Sequence, residues 1–258
     1  MRFALASFNG EQNEKDTVAE FDTSATCFSG VHAAKGVGEE AAVQLSTESQ
    51  YSAEEIAALF PVGVESLDAF FARTPRFALA FSGGADSACL LGAAAKAGCV
   101  VKAYMVKTAF QPEADVQDAQ RVAAEWNVPL EVIYADVLAQ PVIAANPPDR
   151  CYHCKSFIFG TILEHAHASG FSVLCDGTNA SDMPQRRPGF RALAELGVVS
   201  PLRRAGLAKE QVRELGRSVG VSLADKPRFS CYAVHAPAGQ PLTLQVLRKV
   251  AALLGNKH

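Results

Sequence analysis

Short apolar runs alternate with longer stretches in which apolar residues return every three or four positions, and this alternation organises the chain from Arg76 onward. Runs at 77–81, 100–106, 130–135 and 171–175 read as strands. Helical segments near 86–97, 113–126 and 155–169 lie between or after them, and later helices are expected at 189–196, 208–219 and 241–254. Two further helices precede the first strand. "SAEEIAALF", 52–60, opens with a serine cap and an acidic first turn, and "VESLDAFFAR" covers 64–73. Strands alternating with helices predict an α/β fold, a mostly parallel sheet covered by helices on both faces. Ligands of such sheets sit at the carboxyl ends of the strands, at a switch point. Residues 1–50 are rich in Ser, Thr, Glu, Gln and Gly and lack periodicity, so a mobile extension is expected there. One domain is expected over 51–240, followed by a C-terminal helix within 241–258.

The first strand stops at Ser82-Gly83-Gly84-Ala85-Asp86-Ser87, and a helix follows. Glycines let a backbone approach a ligand closely. The free amides and dipole of a helix start favour an anion. Ser82 and Ser87 add hydroxyls, and Asp86 is suited to a magnesium ion or to capping the helix. Phosphate is the expected guest. The spacing is neither GxxxxGK(S/T) nor GxGxxG. A plain glycine–serine turn is the bland alternative.

Seven cysteines occur, at 27, 89, 99, 151, 154, 175 and 231. Cys89, Cys99 and Cys175 adjoin apolar segments and read as small buried hydrophobes, and Cys27 lies in the polar N-terminal region. Cys151 and Cys154 form a CxxC in "NPPDRCYHCKSFIF", expected just before a helix, and Cys231 stands far off in "DKPRFSCYAVHAPAG". Alone, a CxxC fits a redox pair or half of a zinc site, with His153 or His235 as a further ligand. Three thiolates also fit a [4Fe–4S] cluster with one iron left without a protein ligand. Arg150 and Lys155 flank the CxxC and are expected to lower the thiol pKa values.

The 258 residues are 49% hydrophobic, enough for a sizeable core, with formal net charge −3 and pI about 6.1. The balance argues against long nucleic acid as substrate. No apolar run approaches a membrane span, the N-terminus does not read as a signal peptide, and a cytoplasmic protein is expected.

The loop resembles the SGGxDS pyrophosphate loop of the PP-loop ATP pyrophosphatases. With the blocks "NPPDRCYHCK" at 146–155, "DGTNASD" at 176–182, "RRPGFRALAELGVVSPL" at 186–202, "LAKEQVRELGRSVG" at 207–220 and "DKPRFSC" at 225–231, the chain resembles the ATP-dependent sacrificial sulfur transferases of nickel-pincer cofactor synthesis, the LarE family. That resemblance implies a Rossmann-like, adenine nucleotide alpha hydrolase-like domain. It implies ATP and Mg²⁺, adenylylation of a pyridinium mononucleotide carboxylate, and sulfur attack on the acyl adenylate. Cys231 matches the sulfur-bearing cysteine, and Cys151, Cys154 and Cys231 match members whose three cysteines hold a [4Fe–4S] cluster. Cys231 and Asp86 are the expected catalytic residues. Ser82, Gly83, Gly84, Asp86, Ser87, Asp176, Gly177, Thr178 and Asn179 are expected around the nucleotide, and Arg187 at a substrate phosphate. A sulfur donor protein or sulfide, and a homo-oligomer, are the expected partners. Two features depart from the family: "CYAVHAPAG" lacks the arginine that follows the cysteine in relatives, and only one helix stands where relatives carry a small C-terminal domain. The rival readings are a tRNA thiolase, an ammonia-using adenylylating synthetase, and a non-catalytic nucleotide or cluster carrier.

Overall fold

The computed structural model describes residues 52–255 apart from Gln185, Arg186 and Ala238. The expected extension over 1–50, with Cys27, lies outside the described residues. Two short helices come first, α1 (Ala53–Leu59) and α2 (Leu67–Arg73), each begun by a serine whose hydroxyl accepts a first-turn amide. Then β1 (Arg76–Ala80), α3 (Ala85–Lys96), β2 (Val100–Lys107), α4 (Glu113–Glu125) and β3 (Leu130–Tyr134) alternate. They are followed by α5 (Pro141–Ala144), α6 (Arg150–Ala168), β4 (Leu174–Cys175), α7 (Gly189–Glu195), α8 (Pro201–Arg204), α9 (Lys209–Val219) and α10 (Leu244–Gly255).

The four strands form a parallel sheet in the order β3-β2-β1-β4. The chain builds outward from β1 through β2 to β3, then returns to place β4 on the other side of β1. The crevice between the carboxyl ends of β1 and β4 is therefore the switch point of the sheet. Alternate residues of β1 serve opposite faces. Phe77 and Leu79 pack with Leu90, Val116 and Val212 of α3, α4 and α9. Ala78 and Ala80 pack with Phe159, Ile162 and Phe190 of α6 and α7. Burial on both faces explains why this strand reads as a continuous apolar run.

The run at 171–175 supplies only Leu174 and Cys175 to the sheet. Phe171 is apolar because it is buried against α6, not because it is laddered. The helix expected at 155–169 begins earlier, at Arg150, directly after Pro147-Pro148. The CxxC therefore spans the first and second turns of this helix and not a loop before it. Pro201 and Leu202 of α8, absent from the sequence reading, are fully buried with Ser200 and Arg203. Among the described residues no helix is long and apolar enough to cross a membrane.

Candidate functional site

A cavity of about 440 Å³ opens at the switch point. Its walls come from the loop after β1 (Ser82, Gly84, Asp86, Ser87), the loop after β4 (Asp176, Gly177, Thr178) and the segment carrying Cys231. Lys155 of α6, Lys209 of α9, Lys226 and Arg228 complete it.

Serine hydroxyls brace the first loop. Ser82 Oγ and Ser87 Oγ lie 3.2 Å apart, and Ser87 Oγ donates to the carbonyl of Gly84 at 3.2 Å. Gly83 has φ +70° and is buried against α4, where a Cβ would overlap the carbonyl oxygen of Asp115. Glycine is required there for both its backbone region and its missing side chain. The first amides of α3 have no intrahelical acceptor, and the first-turn residues Ala85, Asp86 and Ser87 line the cavity.

The two loops are fitted to each other. A Cβ on Gly177 would stand 2.7 Å from the amide nitrogen of Ser87. Asn179 donates from Nδ2 to Asp86 Oδ2 at 3.2 Å, so this buried amide holds Asp86 from behind rather than lining the cavity. The other Asp86 oxygen is buried with no protein partner, and Lys209 Nζ is 3.6 Å from Oδ2. Asp176 is itself buried and accepts from Thr178 N, Thr178 Oγ1 and Ser200 Oγ at 3.2, 2.5 and 2.7 Å. It shapes its loop and has little capacity left for a ligand. Arg187 does not line the cavity; its guanidinium pairs with Asp182 at 2.6 Å.

Lys226 and Lys209 were not singled out in the sequence, and Lys155 was read there only as a neighbour of the CxxC. Lys226 binds Asp115 Oδ1 and Asp118 Oδ2, each at 2.8 Å, and donates to the carbonyl of Gly83 at 2.9 Å. It thereby ties the Cys231 segment to both the glycine loop after β1 and α4. Burial pulls its pKa down, but the two carboxylates outweigh burial and hold it above the ordinary lysine value. Lys155 forms no ion pair among the described residues; burial lowers its pKa, against the pull of Asp176 and Asp182. A Cβ on Gly189 would strike its side chain at 2.6 Å, so α7 fixes its course. Lys209 stands at the start of α9, where the helix dipole disfavours a cation. That misplacement was a readable signal, and Asp86 opposite explains it.

Of the three cysteines, Cys231 alone lines the cavity. Cys154 and Cys231 pack against an apolar cluster containing Phe110, Ile143 and Leu247. Cys151 is half-buried one turn away on α6, and none of the three is in a disulfide. The expectation of a CxxC acidified by Arg150 and Lys155 fails at Cys154. Burial pushes Cys154 up to about 12, reinforced by Cys231 and Cys151 nearby, and Arg150 and Lys155 only partly offset it. Burial raises Cys231 as well, again opposed by Arg150. The three thiols sense one another, yet among the described residues no group of three His, Cys, Asp or Glu is drawn together as ligands of one metal ion. His153 pairs with Asp149 at 3.2 Å, and His235 is exposed; neither joins the cysteines, and the zinc reading loses its nitrogen ligand.

No protein-family model matches the chain. An uncharacterised Synechocystis protein, slr1717, is 33% identical over 189 residues, spanning 72% of this chain and 70% of its own. The pyridinium-3,5-bisthiocarboxylic acid mononucleotide synthase of Lactiplantibacillus plantarum is 27% identical over 179 residues, 69% of this chain and 65% of that one. The tRNA-specific 2-thiouridylase MnmA of Fervidobacterium nodosum is 25% identical over 181 residues, 56% and 52% of the two chains. These matches and the glycine loop at the switch point agree: the chain belongs to the family of the Synechocystis protein, within the PP-loop ATP pyrophosphatases.

Proposed function

We propose that the protein is an ATP-dependent sulfur transferase acting on the carboxylate of a pyridinium mononucleotide, in nickel-pincer cofactor synthesis. One observation carries this reading: the phosphate-binding loop and the thiol of Cys231 open into the same cavity. Likeness to the Lactiplantibacillus synthase supports the substrate class.

A carboxylate is a poor electrophile, and its mixed anhydride with AMP is a good one. In the first step a substrate carboxylate oxygen attacks the α-phosphorus of ATP, and pyrophosphate leaves. The α3 amides, Ser82, Ser87 and Lys209 are suited to hold the departing phosphates. Mg²⁺ would be held by Asp86, whose buried free oxygen suits it, together with the phosphates of ATP. Lys155 and Arg228 supply further positive charge for the anionic substrate. In the second step a hydrosulfide-level sulfur held beside Cys231 attacks the acyl carbon, the bond from that carbon to the phosphoryl-bearing oxygen breaks, and AMP leaves with the carboxylate oxygen while Cys231 keeps its own sulfur. Cys151, Cys154 and Cys231 would hold a [4Fe–4S] cluster: burial of Cys154 and Cys231 outweighs the charge of Arg150, and iron would supply the further positive charge that their thiolates need. Such a cluster would offer an iron without a protein ligand as a sulfur-binding position.

The test combines ATP with a pyridinium carboxylate mononucleotide and protein reconstituted with iron and sulfide. Pyrophosphate release that depends on the mononucleotide, with oxygen-for-sulfur exchange seen by mass spectrometry, is expected. Pyrophosphate release without sulfur incorporation, or sulfur appearing in bulk tRNA instead, refutes the reading. Conversion of Cys231 to dehydroalanine at each turnover would remove the cluster from it.

A further inference from the structure

Arg150 is the one residue beside the cysteines whose placement the proposed reaction has not used. It is 6% exposed, on the first turn of α6. Its Nη1 is buried with no partner, and its Nη2 donates to Cys151 Sγ at 3.2 Å. The guanidinium also lies 6.0 Å from the centroid of Phe110, in the apolar cluster that packs Cys154 and Cys231. No carboxylate balances it among the described residues. The adjacent acid, Asp149, is exposed and turned to His153.

A buried guanidinium without a counter-ion is costly, and such groups are retained where an anion completes them. The groups placed against it are soft: the Cys151 thiol at 3.2 Å and the Phe110 ring, with the thiols of Cys154 and Cys231 close enough to feel its charge. Hard, strongly hydrated anions gain little there. Guanidinium is itself weakly hydrated and donates in a fork, and the α6 dipole adds positive potential at the same end. We propose that Arg150, at the start of α6, forms a binding site for a small soft sulfur anion of the hydrosulfide class, held beside Cys151, Cys154 and Cys231. The site deepens the sulfur-transfer reading and rests on it for its biological use. It names the form in which sulfur reaches the cysteines: a small diffusible anion, not a persulfide handed over by a docked protein.

The test needs no turnover. Full-length, metal-free, reduced protein is crystallised and soaked in iodide, which matches hydrosulfide in charge and softness, and sodium hydrosulfide binding is measured by anaerobic calorimetry. An anomalous iodide peak within hydrogen-bonding distance of the Arg150 guanidinium is expected, with competition between iodide and hydrosulfide. The Arg150→Gln variant is expected to lose the peak and weaken hydrosulfide binding about 10- to 100-fold. Arg150→Lys, which keeps the charge without the fork, should fall between. Iodide and hydrosulfide absent from the guanidinium in the wild-type protein would overturn the proposal, even where Arg150→Gln fails to fold. Unchanged binding in a folded Arg150→Gln variant would overturn it too. The two readings fail separately. Anion binding without sulfur transfer to any mononucleotide leaves the site and removes the function, and sulfur transfer with no anion at Arg150 does the reverse.

Discussion

Replacing Gly83 by alanine tests whether the phosphate loop is built on a backbone that only glycine can supply. At φ +70° an alanine is disfavoured by about 1–2 kcal/mol. Its Cβ would also overlap the Asp115 carbonyl, which belongs to the first turn of α4 and cannot rotate aside as a side chain could. Overpacking of this kind costs about 1–3 kcal/mol. Together the two effects predict a loss of about 2–5 kcal/mol, or about 4–20 °C in melting midpoint for a folded unit of this size. Gly98 is the control. It has φ +78° just beyond α3, but a Cβ there meets open space. Gly98→Ala should lose only the backbone part, about 1–2 kcal/mol. Calorimetric unfolding of both variants, followed by ATP titration, separates the contributions. Gly83→Ala should also weaken ATP binding at least tenfold, because its loop must shift to clear α4, and Gly98→Ala should not. Equal melting midpoints for the two variants would refute the close fit of the loop against α4.

Other outcomes follow from the same geometry. Lys155→Met should raise the melting midpoint at neutral pH, since burial disfavours the charged lysine, while raising the KM for an anionic substrate at least tenfold; a lower midpoint would refute the burial argument. In the wild type the depressed Lys155 pKa predicts that this cost of charge shrinks as pH rises through its folded value toward the ordinary lysine value. Lys226→Met should destabilise the fold by about 2–4 kcal/mol, because Asp115 and Asp118 lose a shared partner in a poorly solvated place, and urea unfolding reads this directly. Burial alone would raise the pKa of Asp118, but Lys226 and Arg121 hold it below the ordinary carboxylate value. Its stabilisation is therefore present above about pH 4 and fades as pH falls below that. Lys226→Met should flatten this acid dependence. Cys154, pushed up to about 12, should resist iodoacetamide at pH 8 in the metal-free protein, with a thiolate fraction of about one in ten thousand; rapid labelling followed by peptide mapping would contradict this.

Much of the fold was legible because burial and sheet pairing coincide in it. Residues 77–81 and 100–106 are apolar on both faces, and both are strands. Residues 171–175 show where the inference fails: Phe171 is apolar for packing, and the chain joins the sheet only from the Val173 carbonyl, which accepts from Ala78 N at 2.8 Å, onward to Cys175. The loop at 82–87 was legible as a strand-to-helix turn because its signal is local, carried by glycines and serines within six positions. The lysines were not, since Lys226 matters through Asp115 and Lys209 through Asp86, residues far away in sequence. The cysteine acidities were misjudged for a related reason. Charges adjacent in sequence suggested acid thiols, while the apolar cluster from Phe110, Ile143 and Leu247 sets the opposite direction. The start of α6 was marked by Pro147-Pro148, since prolines favour the entrance of a helix.

The return of the chain to the far side of β1 has a consequence for synthesis of the protein. Ser82 and Cys231, which face the same cavity, are separated by more than half the length of the chain. As the polypeptide leaves the ribosome, β1, β2 and β3 can pair while β4 and the Cys231 segment are still unmade. The exposed edge of β1 then waits for its last neighbour, a position open to mispairing. A nascent chain halted before residue 174 should present a sheet with that edge bare, and the cavity between the carboxyl ends of β1 and β4 cannot form until the second half has been made.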